Sequence, residues 1–540
     1  MKRVLSLIIM LSIIGSIVIG CGKATSDSDT GNTGITDNTG STKPSETTSS
    51  TQEKRFEKRI KFTASSVDVD SNVSYFDEAR YQKLDEMFNF EIEFVPVAWD
   101  TWAERDRIWI NSGDMPDVMF WDFNYNDYVR YSQDGVLKAL PEDYAEKYPN
   151  LAKVIKRTGV EDFLKKVNDG LLYIIPHVIY QTPITDIPID SYVAFYRKDW
   201  AKKLGIEIGE TTTIDELCHL AEEMIKKDPG GNGPGKTIGI TGSIGTIYHT
   251  FLRPYNDNFD KIYKNGNEYV FGLFDSETLE GIKNVKQILD SGVLDRDFYT
   301  VKGLEYRDKF YAGKAGIMLD GCSVSHYAVE FTGQFKEANP ELDPFECMGI
   351  TAVTDNNGVY HAVNNMNFWS SSIFNAEMDD ETMDRILSIF DYIATEEGQK
   401  LVYLGVEGKD YTKDGDKYIM KLDADGNVPT SQMKNYFWTK PILPDDWALH
   451  DPTINEDARQ TVLNIFKAKE ANMSVSMIDY DYTFLSTPEK SKFSLNVSDE
   501  ITKILLSSDG IDSAWEKWKE SVRPKVEPVI KEANQELLNK

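Results

Sequence analysis

The chain is poor in cysteine, histidine and positive charge. Its 540 residues include four cysteines and six histidines. Four cysteines are too few to build a fold on disulfides, and neither a Cys-x-x-Cys pair nor a nearby pair of histidines indicates zinc. Against 88 Asp and Glu there are 59 Lys and Arg, which gives a formal net charge of −29. This excess of negative charge argues against nucleic acid or anionic lipid headgroups as the natural ligand.

A short apolar run near the start is the most specific local signal. Two positive residues precede an uncharged stretch at 4–19, which is shorter than the about 20 residues of a spanning helix and typical of a signal peptide. It ends in Val18-Ile19-Gly20-Cys21, which resembles the bacterial lipobox, whose cysteine receives a lipid. We predict a lipoprotein signal peptide at 1–20 and acylation, for example by palmitate, at Cys21. The alternatives are an ordinary secretory signal with an incidental cysteine, or an uncleaved anchor.

Residues 21–54 contain almost no apolar side chains. The stretch is rich in Gly, Ser, Thr, Asp and Asn, so folding it would bury too little surface to offset the lost conformational entropy. We therefore predict a lipidated Cys21 followed by a disordered tether. This arrangement places a globular body at the extracellular face of the cell membrane, attached through the lipid alone.

Beyond residue 54, predicted strands and helices alternate. The β-α-β-α-β order of the first five elements favours a mostly parallel sheet covered by helices. The predicted strands are 59–64, 91–97, 117–121, 171–175, 192–197, 315–319, 346–351 and 368–374. The predicted long helices are 79–88, 102–112, 214–227, 276–291, 379–395, 455–471 and 513–538. We expect Pro524 and Pro528 to bend or interrupt the last helix.

Several motifs resemble those of a known family. The segment NSGDMPDVMFWD at 111–122 resembles the Ser-Gly-Asp-x-Pro-Asp pattern and following strand of the extracellular solute-binding proteins (family 1, oligosaccharide type) of bacterial ABC importers. Further matches follow in the same order along the chain: Gly135-Val-Leu-Lys-Ala-Leu, Gly170-Leu-Leu-Tyr-Ile-Ile-Pro, Tyr196-Arg-Lys-Asp-Trp, Phe310-Tyr-Ala-Gly-Lys-Ala-Gly-Ile-Met and Leu404-Gly-Val-Glu-Gly-Lys-Asp-Tyr. Each match is weak alone, and their collinear order carries the resemblance.

The resemblance implies a two-lobed α/β protein with the periplasmic-binding-protein-like fold of type II. Each lobe would contain a mixed, mostly parallel sheet with flanking helices. By the family pattern, lobe one holds 55–185 and 301–370, and lobe two holds 190–300 and 371–540. A ligand would lie between the lobes, and the closed form would dock on the permease subunits of the transporter. The resemblance implies no catalysis and no cofactor, and we expect a monomer.

Candidate ligand-binding residues follow predicted strands or match the family pattern. Sugar recognition uses flat aromatic faces together with acids, amides or Arg that pair with hydroxyls. The residues after predicted strands are Trp99, Trp121, Asp122, Tyr125, Asp320, Ser323 and Tyr327. The resemblance adds Arg253, Tyr255 and Asn256 from a loop that faces the cleft in the family, and Asn367 and Trp369 near a later crossing. For each aromatic, the alternative is ordinary packing in a core or between lobes.

A Gly-rich loop raises the question of calcium. Some family members carry an EF-hand-like loop where this chain has Asp228-Pro-Gly-Gly-Asn232-Gly-Pro-Gly-Lys236. Asp228 and Asn232 are weak candidate ligands, but Gly230 and Gly239 occupy positions that usually carry acids and Lys236 adds positive charge. We therefore predict a Gly-rich turn and no bound metal.

Two other classes of function remain open. A surface-anchored carbohydrate-active enzyme would need paired carboxylates, which 88 acids permit. No nucleophile elbow or zinc motif supports this alternative. A peptide-binding receptor of the same fold would need side chains that capture a carboxylate or an amine. The sequence therefore favours a substrate-binding lipoprotein for an oligosaccharide or a related polar solute.

Overall fold

The structure, a computed structural model, describes residues 56–67, 79–98, 101–178, 189–364, 366–415, 417–421, 451 and 454–538. All described residues belong to one compact unit, Phe56–Lys540. The predicted signal peptide, Cys21 and the tether lie outside the described residues, as does Trp99. Among the described residues, no helix is both long enough and apolar enough to cross a bilayer.

Strands and helices alternate along the described chain. The strands are β1 Ile60–Val67, β2 Phe90–Val97, β3 Val118–Asp122, β4 Ile174–Val178, β5 Tyr192–Arg197, β6 Thr211–Thr213, β7 Ile238–Gly242, β8 Ile262–Asn265, β9 Glu268–Phe271, β10 Ala315–Gly321, β11 Met348–Thr354, β12 Tyr360–Val363, β13 Phe368–Phe374, β14 Tyr411–Asp414, β15 Lys417–Met420 and β16 Met473–Ser476. The helices are α1 Ala79–Phe88, α2 Trp102–Ser112, α3 Tyr125–Gln133, α4 Tyr144–Lys147, α5 Pro149–Arg157, α6 Glu161–Lys166, α7 Lys198–Leu204, α8 Ile214–Lys227, α9 Ile244–Phe251, α10 Ser276–Ser291, α11 Glu305–Tyr311, α12 Thr332–Ala338, α13 Pro344–Cys347, α14 Asp380–Ile393, α15 Glu396–Leu404, α16 Glu456–Ala471, α17 Tyr480–Thr483, α18 Pro488–Lys492, α19 Val497–Leu505 and α20 Ile511–Ala533.

The first sheet has five strands in the order β2-β1-β3-β13-β4. β1 is parallel to β2 and β3, while β13 runs antiparallel to β3 and β4. The carboxyl ends of β1, β2, β3 and β4 therefore lie at one edge of the sheet, where β13 begins. Asp117 fixes the start of β3 because its carboxylate accepts hydrogen bonds from the backbone N–H and the hydroxyl of Thr63, at 2.7 and 2.9 Å.

The second sheet has five strands in the order β6-β11-β5-β10-β7. β5 is antiparallel to both of its neighbours, β10 and β11, and β7 and β6 are parallel to β10 and β11. The amino end of β5 consequently lies at the edge where β6, β7, β10 and β11 end. Helices α8, α10, α19 and α20 contribute to the hydrophobic core on this sheet.

Sheet membership differs from the predicted lobe boundaries. The prediction placed 301–370 in lobe one, but β10 and β11 pair with β5 on its two sides and so belong to the second sheet. It placed 371–540 in lobe two, but side chains of α14 and α15 pack in the core of the first sheet. The motif at 310–318 leads into β10 of the second sheet, and β13 is the strand that returns the chain to the first sheet.

Short segments connect the two sheets. Ile189 and Asn364 form an antiparallel bridge, and β12 pairs in parallel with β16. Helix α17 extends this region: Phe484, directly after it, is part of the first-sheet core, while Tyr482 packs against the second-sheet core. These contacts place α17 against the cores of both sheets.

The last helix and the cysteines of the folded body show clear local structure. Helix α20 runs through Pro524 and Pro528 without interruption, although each proline removes a backbone donor. Cys218, Cys322 and Cys347 are free thiols, so Cys322 and Cys347 do not pair. Burial raises the pKa of Cys218 and of Cys322 to about 12, which keeps both protonated and poorly reactive.

Candidate functional site

A pocket lies at the edge of the first sheet where the parallel strands end. It is lined by Ser65, Ser66, Val97, Trp102, Asp106 and Phe120. Trp102 and Asp106 are four residues apart in α2, so both lie on the same face of the helix. The Trp102 ring stacks on Phe120 with centroids 4.9 Å apart and planes inclined by 29°. The pocket thus combines a carboxyl group with an aromatic pair.

Asp106 is the unusual group of this pocket. It is 1% exposed, and its Oδ2 has no hydrogen-bond partner in the part of the chain that the structure describes. Burial, with the nearby carboxylate of Asp122 as a second cause, raises the pKa of Asp106 to about 8, although Arg107 opposes the shift. Asp122 is exposed at the end of β3, but loss of solvent still raises its pKa. The first-sheet edge therefore carries two carboxyl groups that resist ionisation.

A second pocket lies at the edge of the second sheet where β5 begins. It is lined by Tyr192, Val193, His249, Thr250, Pro254, Val353, Tyr360 and His361. The His249 ring lies 4.6 Å from the Tyr192 ring. The pocket is next to the start of β12, so it adjoins a segment that connects the sheets.

Asp190 organises the polar groups behind the second pocket. It accepts hydrogen bonds from the backbone N–H of Val363 at 2.7 Å, from the backbone N–H of Tyr192 at 3.2 Å and from the Tyr360 hydroxyl. Burial opposes its ionisation, but His249, Lys469 and Tyr360 hold the pKa of Asp190 below its ordinary range. The carboxylate thus joins the segment before β5 to β12.

The basic groups around Asp190 are also buried. Lys469 donates to the carbonyl of Tyr192 at 2.6 Å, and burial lowers its pKa to about 8. Burial also lowers the pKa of His249, whose Nε2 lies 3.3 Å from Asp190. Burial lowers the pKa of His361 too, but its contact with Asp257 at 2.7 Å outweighs this and the pKa is raised.

A sequence profile of the family described as bacterial extracellular solute-binding protein matches residues 73–365, more than half of the chain. The chain belongs to this family. Its two five-stranded sheets and their connecting segments agree with the periplasmic-binding-protein-like fold of type II that the sequence predicts.

Relatives of this solute-binding protein include three named bacterial proteins. It is 24% identical over 371 residues to the polygalacturonan/rhamnogalacturonan-binding protein YtcQ of Bacillus subtilis, covering 67% of this chain and 68% of the relative. It is 27% identical over 245 residues to the fructooligosaccharide ABC transporter substrate-binding protein FusA of Streptococcus pneumoniae, covering 44% and 45%. It is 21% identical over 339 residues to the lipoprotein LipO of B. subtilis, covering 60% and 62%.

A solved structure shows the same fold. FusA of S. pneumoniae in complex with kestose superposes with a TM-score of 0.63 at 18% identity, covering 89% of this chain and all of that one. At this identity the likeness shows the fold and does not transfer individual binding residues.

Two predicted ligand residues lie at the first-sheet edge. Asp122 is exposed there, and Tyr125 begins α3 with its ring 4.7 Å from Phe484. Trp121 is 3% exposed and packs with Phe123 and Tyr131 in the core. In this conformation Trp121 therefore packs in the core and does not face a ligand. This is the alternative that the sequence left open for each aromatic candidate.

The predicted residues after β10 have structural roles. Asp320 is buried and pairs with Arg307 at 2.6 Å. The Ser323 hydroxyl accepts a hydrogen bond from the backbone N–H of His326 at 3.1 Å. Tyr327 is buried and donates its hydroxyl to the carbonyl of Met348 at 3.3 Å. In this conformation these side chains stabilise the second sheet and its neighbouring helices.

The loop predicted from the family pattern is divided between inward and outward side chains. Arg253 is buried and forms an ion pair with Asp260 at 2.8 Å. Asn256 donates to Asp275 at 3.0 Å and so fixes the loop. Tyr255 is 43% exposed, which leaves its ring accessible.

Of the last two predicted residues, Asn367 lies directly before β13 and Trp369 lies within it. Asn367 is buried and donates to the carbonyl of Arg157 at 3.2 Å. Trp369 lies within β13, and its side chain is outside the described part of the structure. Both positions lie on the part of the chain that passes from β12 into β13 of the first sheet.

Groups within and next to the Gly-rich loop donate hydrogen bonds to the carboxylate of Asp228. The Asp228 carboxylate accepts from the backbone N–H groups of Asn232 and Gly233 at 3.0 and 2.8 Å and from Thr237. Hydrogen bonding by Thr237 lowers the pKa of Asp228. A Cβ at Gly230 would lie 2.3 Å from the Trp200 ring, so an acid does not fit there. Within the described ranges, no group of three or more His, Cys, Asp or Glu is arranged to hold a metal ion.

Sequence reasoning missed several residues that line the two pockets. Trp102 and Asp106 lie at the start of α2, and Tyr192 and His249 line the second pocket. The signal for the first pair was present: an aromatic and an acid four residues apart at the start of a helix that follows a strand. No comparable local pattern marks His249, because Tyr192 is distant in sequence.

Proposed function

We propose that this protein is the substrate-binding lipoprotein of an ABC importer that captures an oligosaccharide or a related polar solute and delivers it to membrane permease subunits. The observation that carries the proposal is the match to the solute-binding family over residues 73–365, and two small recesses lie at the sheet edges from which the connecting segments leave. In α/β proteins, ligands bind at the carboxyl edge of parallel strands. Family membership and the sugar-binding relatives support the same function.

The proposed mechanism is closure of two lobes around the ligand. We assign one lobe to the first sheet with α14 and α15, and the other to the second sheet with α16, α19 and α20. A ligand that contacts both lobes shifts the equilibrium toward a closed form. The polar groups at the two edges supply the contacts, and no catalytic step is part of the proposal.

The proposed location is the extracellular face of the cell membrane. Residues 1–20 act as the signal peptide, Cys21 carries the lipid, and residues 21–54 act as the tether. A relative described as a lipoprotein supports this assignment. The protein acts as a monomer, with the lipid as its only membrane contact and with no nucleic acid partner.

A glycan panel with a thermal-shift readout tests the function. A ligand at 100 times its dissociation constant adds about 2.7 kcal/mol to a two-state fold, which gives a clear rise in melting temperature. The bound saccharide is then recovered and its mass is measured. We expect the mass to be unchanged. No shift with any saccharide contradicts the proposal, and a shortened or modified saccharide indicates an enzyme instead.

A further inference from the structure

The start of helix α17 is attached to the second-sheet lobe. The carboxylate of Asp479, directly before the helix, accepts a hydrogen bond from the Tyr269 hydroxyl at 2.7 Å and one from the backbone N–H of Tyr482 at 2.9 Å. The Tyr482 ring also stacks on the Tyr269 ring, with centroids 5.5 Å apart. Because Tyr269 is buried in the second-sheet core, these contacts fix the start of α17 to that lobe.

Lys490 attaches the other end of α17 to the same lobe. Its backbone N–H donates to the carboxylate of Glu532 at 3.3 Å, and Glu532 lies in α20, which packs in the second-sheet core. Its Nζ donates to three carbonyls at and just after the carboxyl end of α17, those of Tyr482, Thr483 and Leu485, at 2.6, 2.8 and 2.8 Å. A lysine in this position supplies donors to carbonyls that the end of a helix leaves free. Both ends of α17 are therefore joined to the second-sheet lobe by hydrogen bonds.

On the side of the first-sheet lobe, the contacts of α17 and the residue after it are between rings. We call Tyr125, Phe163, Tyr480 and Phe484 the ring cluster. Between centroids, Phe163 lies 5.0 Å from Tyr480 and 5.5 Å from Phe484. Tyr125 lies 4.7 Å from Phe484. Apolar contacts have no fixed direction, so these rings can separate without leaving the unpaired polar groups that broken hydrogen bonds would leave.

We propose that α17 moves with the second-sheet lobe and that the ring cluster holds the two lobes in the arrangement described here, separating when the lobes move. This inference rests on the proposed function, because it requires two lobes that change their arrangement. It names the element that sets how readily they do so. Weakening the ring cluster raises the population of other arrangements, since it removes a contact that only the present arrangement makes.

The position of α17 in the chain suits this role. The helix follows β16, which pairs with β12 among the segments that connect the sheets. The backbone N–H of Ile478, two residues before the helix, donates to the side chain of Asn364 at 3.3 Å, and Asn364 forms the bridge with Ile189. Lobes that rotate about these segments stay close together beside them, so the rings can meet again when the movement reverses.

The test measures the distance between the lobes in solution, without a ligand, by pulsed electron spin resonance. Spin labels are attached at Glu142→Cys in the first-sheet lobe and at Glu222→Cys in α8, because both positions are exposed. The background is the full-length chain with Cys21→Ala and Cys218→Ala. The two remaining cysteines are buried, which confines the labels to the two chosen positions.

Two variants weaken the ring cluster from opposite sides. Phe163→Ala acts from α6 and Tyr480→Ala acts from α17, and both side chains are only half-buried, so we expect the fold to persist. Each should widen the distribution of distances at least about 1.5-fold relative to the wild type. The matched control is Phe56→Ala. It removes another half-buried ring of the first-sheet lobe, which packs on Phe88 at 5.4 Å, and should leave the width within about 1.2-fold.

Hydrogen exchange then shows which lobe carries α17. Phe163→Ala should leave the exchange rates of the α17 amides within about twofold of the wild type, because the hydrogen bonds to the second-sheet lobe remain. Lys490→Met keeps a long side chain but removes the donor to the three carbonyls. It should speed the exchange of the α17 amides at least about tenfold. Peptides from α8 serve as the internal reference in each variant.

The outcomes separate this inference from the proposed function. An unchanged distribution of distances in either ring variant, or equal widening in Phe56→Ala, overturns the inference. Exchange of α17 in Phe163→Ala that matches or exceeds that in Lys490→Met also overturns it, because the second-sheet lobe would then not carry the helix. Failure of the wild-type protein to bind any saccharide of the panel overturns the proposed function, and the distances, measured without a ligand, remain interpretable.

Discussion

Two buried carboxyl groups show how neighbouring groups determine whether an acid is ionised. Asp190 receives three hydrogen bonds and lies beside His249 and Lys469, which holds its pKa low. Asp106 is equally buried, but its Oδ2 has no partner within the described structure, and its pKa rises to about 8. The first acid therefore stabilises the fold when ionised, and the second costs stability when ionised.

Asp106→Asn should stabilise the protein at alkaline pH. The pKa of Asp106 is about 8 in the folded chain and 3.8 as its ordinary value, so the folded state binds more protons between these values. Stability is therefore lost as pH rises through this range. At about 1.4 kcal/mol per pH unit, we expect the stability of the variant relative to the wild type to rise by about 5 kcal/mol between about pH 4 and about pH 8.

Urea unfolding at both pH values measures this difference. Glu104→Gln serves as the control, because Glu104 is an exposed acid on the same helix. If the stability difference between Asp106→Asn and the wild type is the same at both pH values, the raised pKa of Asp106 is contradicted.

Asp190→Asn should strongly destabilise the protein. The substitution leaves Lys469 buried without its counter-charge and weakens the bonds to Val363 and Tyr360. Removing one partner of a buried charged pair costs about 3–5 kcal/mol. Because the pKa of Asp190 is lowered, its stabilisation exists above the ordinary Asp pKa and is lost as pH falls through the folded value.

Chemical denaturation near neutral pH checks the cost. The control is Asp290→Asn. Asp290 forms an ion pair with Lys286, but its side chain is 61% exposed. Its loss should therefore lower the free energy of unfolding by less than about 1 kcal/mol. Equal losses in the two variants would contradict the role assigned to Asp190.

Sequence reasoning placed some site residues and missed others for a physical reason. The end of β3 follows from a buried apolar run, so Asp122 and Tyr125 could be placed at the sheet edge. The direction of a side chain within a strand was harder to predict: Trp121 lies one residue earlier and faces the core. His249 depends on contacts between segments far apart in sequence, which no local pattern encodes.

At the scale of elements, helices with strong end signals were predicted to the residue. Helix α8 begins after Thr213, whose side chain forms a capping box with Glu216. The helix ends before Asp228, whose backbone adopts the left-handed conformation. Helix α20 shows the opposite case. Trp515, Trp518 and Val526 of this helix are buried in the second-sheet core, so tertiary packing keeps it continuous through two prolines.

Helix α17 and the residue after it contact both halves of the molecule. Tyr480 stacks on Phe163 with centroids 5.0 Å apart, and Phe484 lies 4.7 Å from Tyr125. Tyr482 stacks on Tyr269 of the second-sheet core at 5.5 Å. Since its aromatic side chains point in both directions, this element couples the two cores.

Phe484→Ala should remove much of that coupling. Phe484 is 9% exposed, and truncation of a buried Phe costs about 3–5 kcal/mol because it leaves a cavity. We expect a loss in this range by urea unfolding, with earlier exchange of amide hydrogens in α17. Val329→Ala is the control, since Val329 is 56% exposed and should change stability by less than about 0.5 kcal/mol.

The same experiment shows whether α17 joins the cores. If Phe484→Ala unfolds with the wild-type midpoint, the aromatic contacts across α17 contribute nothing to stability. A loss confined to the first-sheet core, with the second-sheet amides unaffected, would show packing without coupling.

At the scale of the whole molecule, sequence order alone could not fix which segments share a sheet. Strands β10 and β11 follow the second lobe's helices and pair with β5, whereas β13 returns to the first sheet. The alternation of strands and helices was predictable from the pattern of apolar residues. The partner of each strand depends on long-range pairing, since several orders satisfy the same local pattern.

The anchor is the remaining prediction at this scale. Cys21 follows the apolar run and precedes the polar tether, so Cys21→Ala should abolish acylation and move the protein from the membrane fraction to the medium. Radiolabelled palmitate and cell fractionation measure both effects. Cys218→Ala is the matched control, because Cys218 is a partly buried thiol of the folded body and its loss should leave acylation unchanged. Membrane retention of the Cys21 variant would indicate an uncleaved anchor, and wild-type protein free in the medium would indicate an ordinary secretory signal.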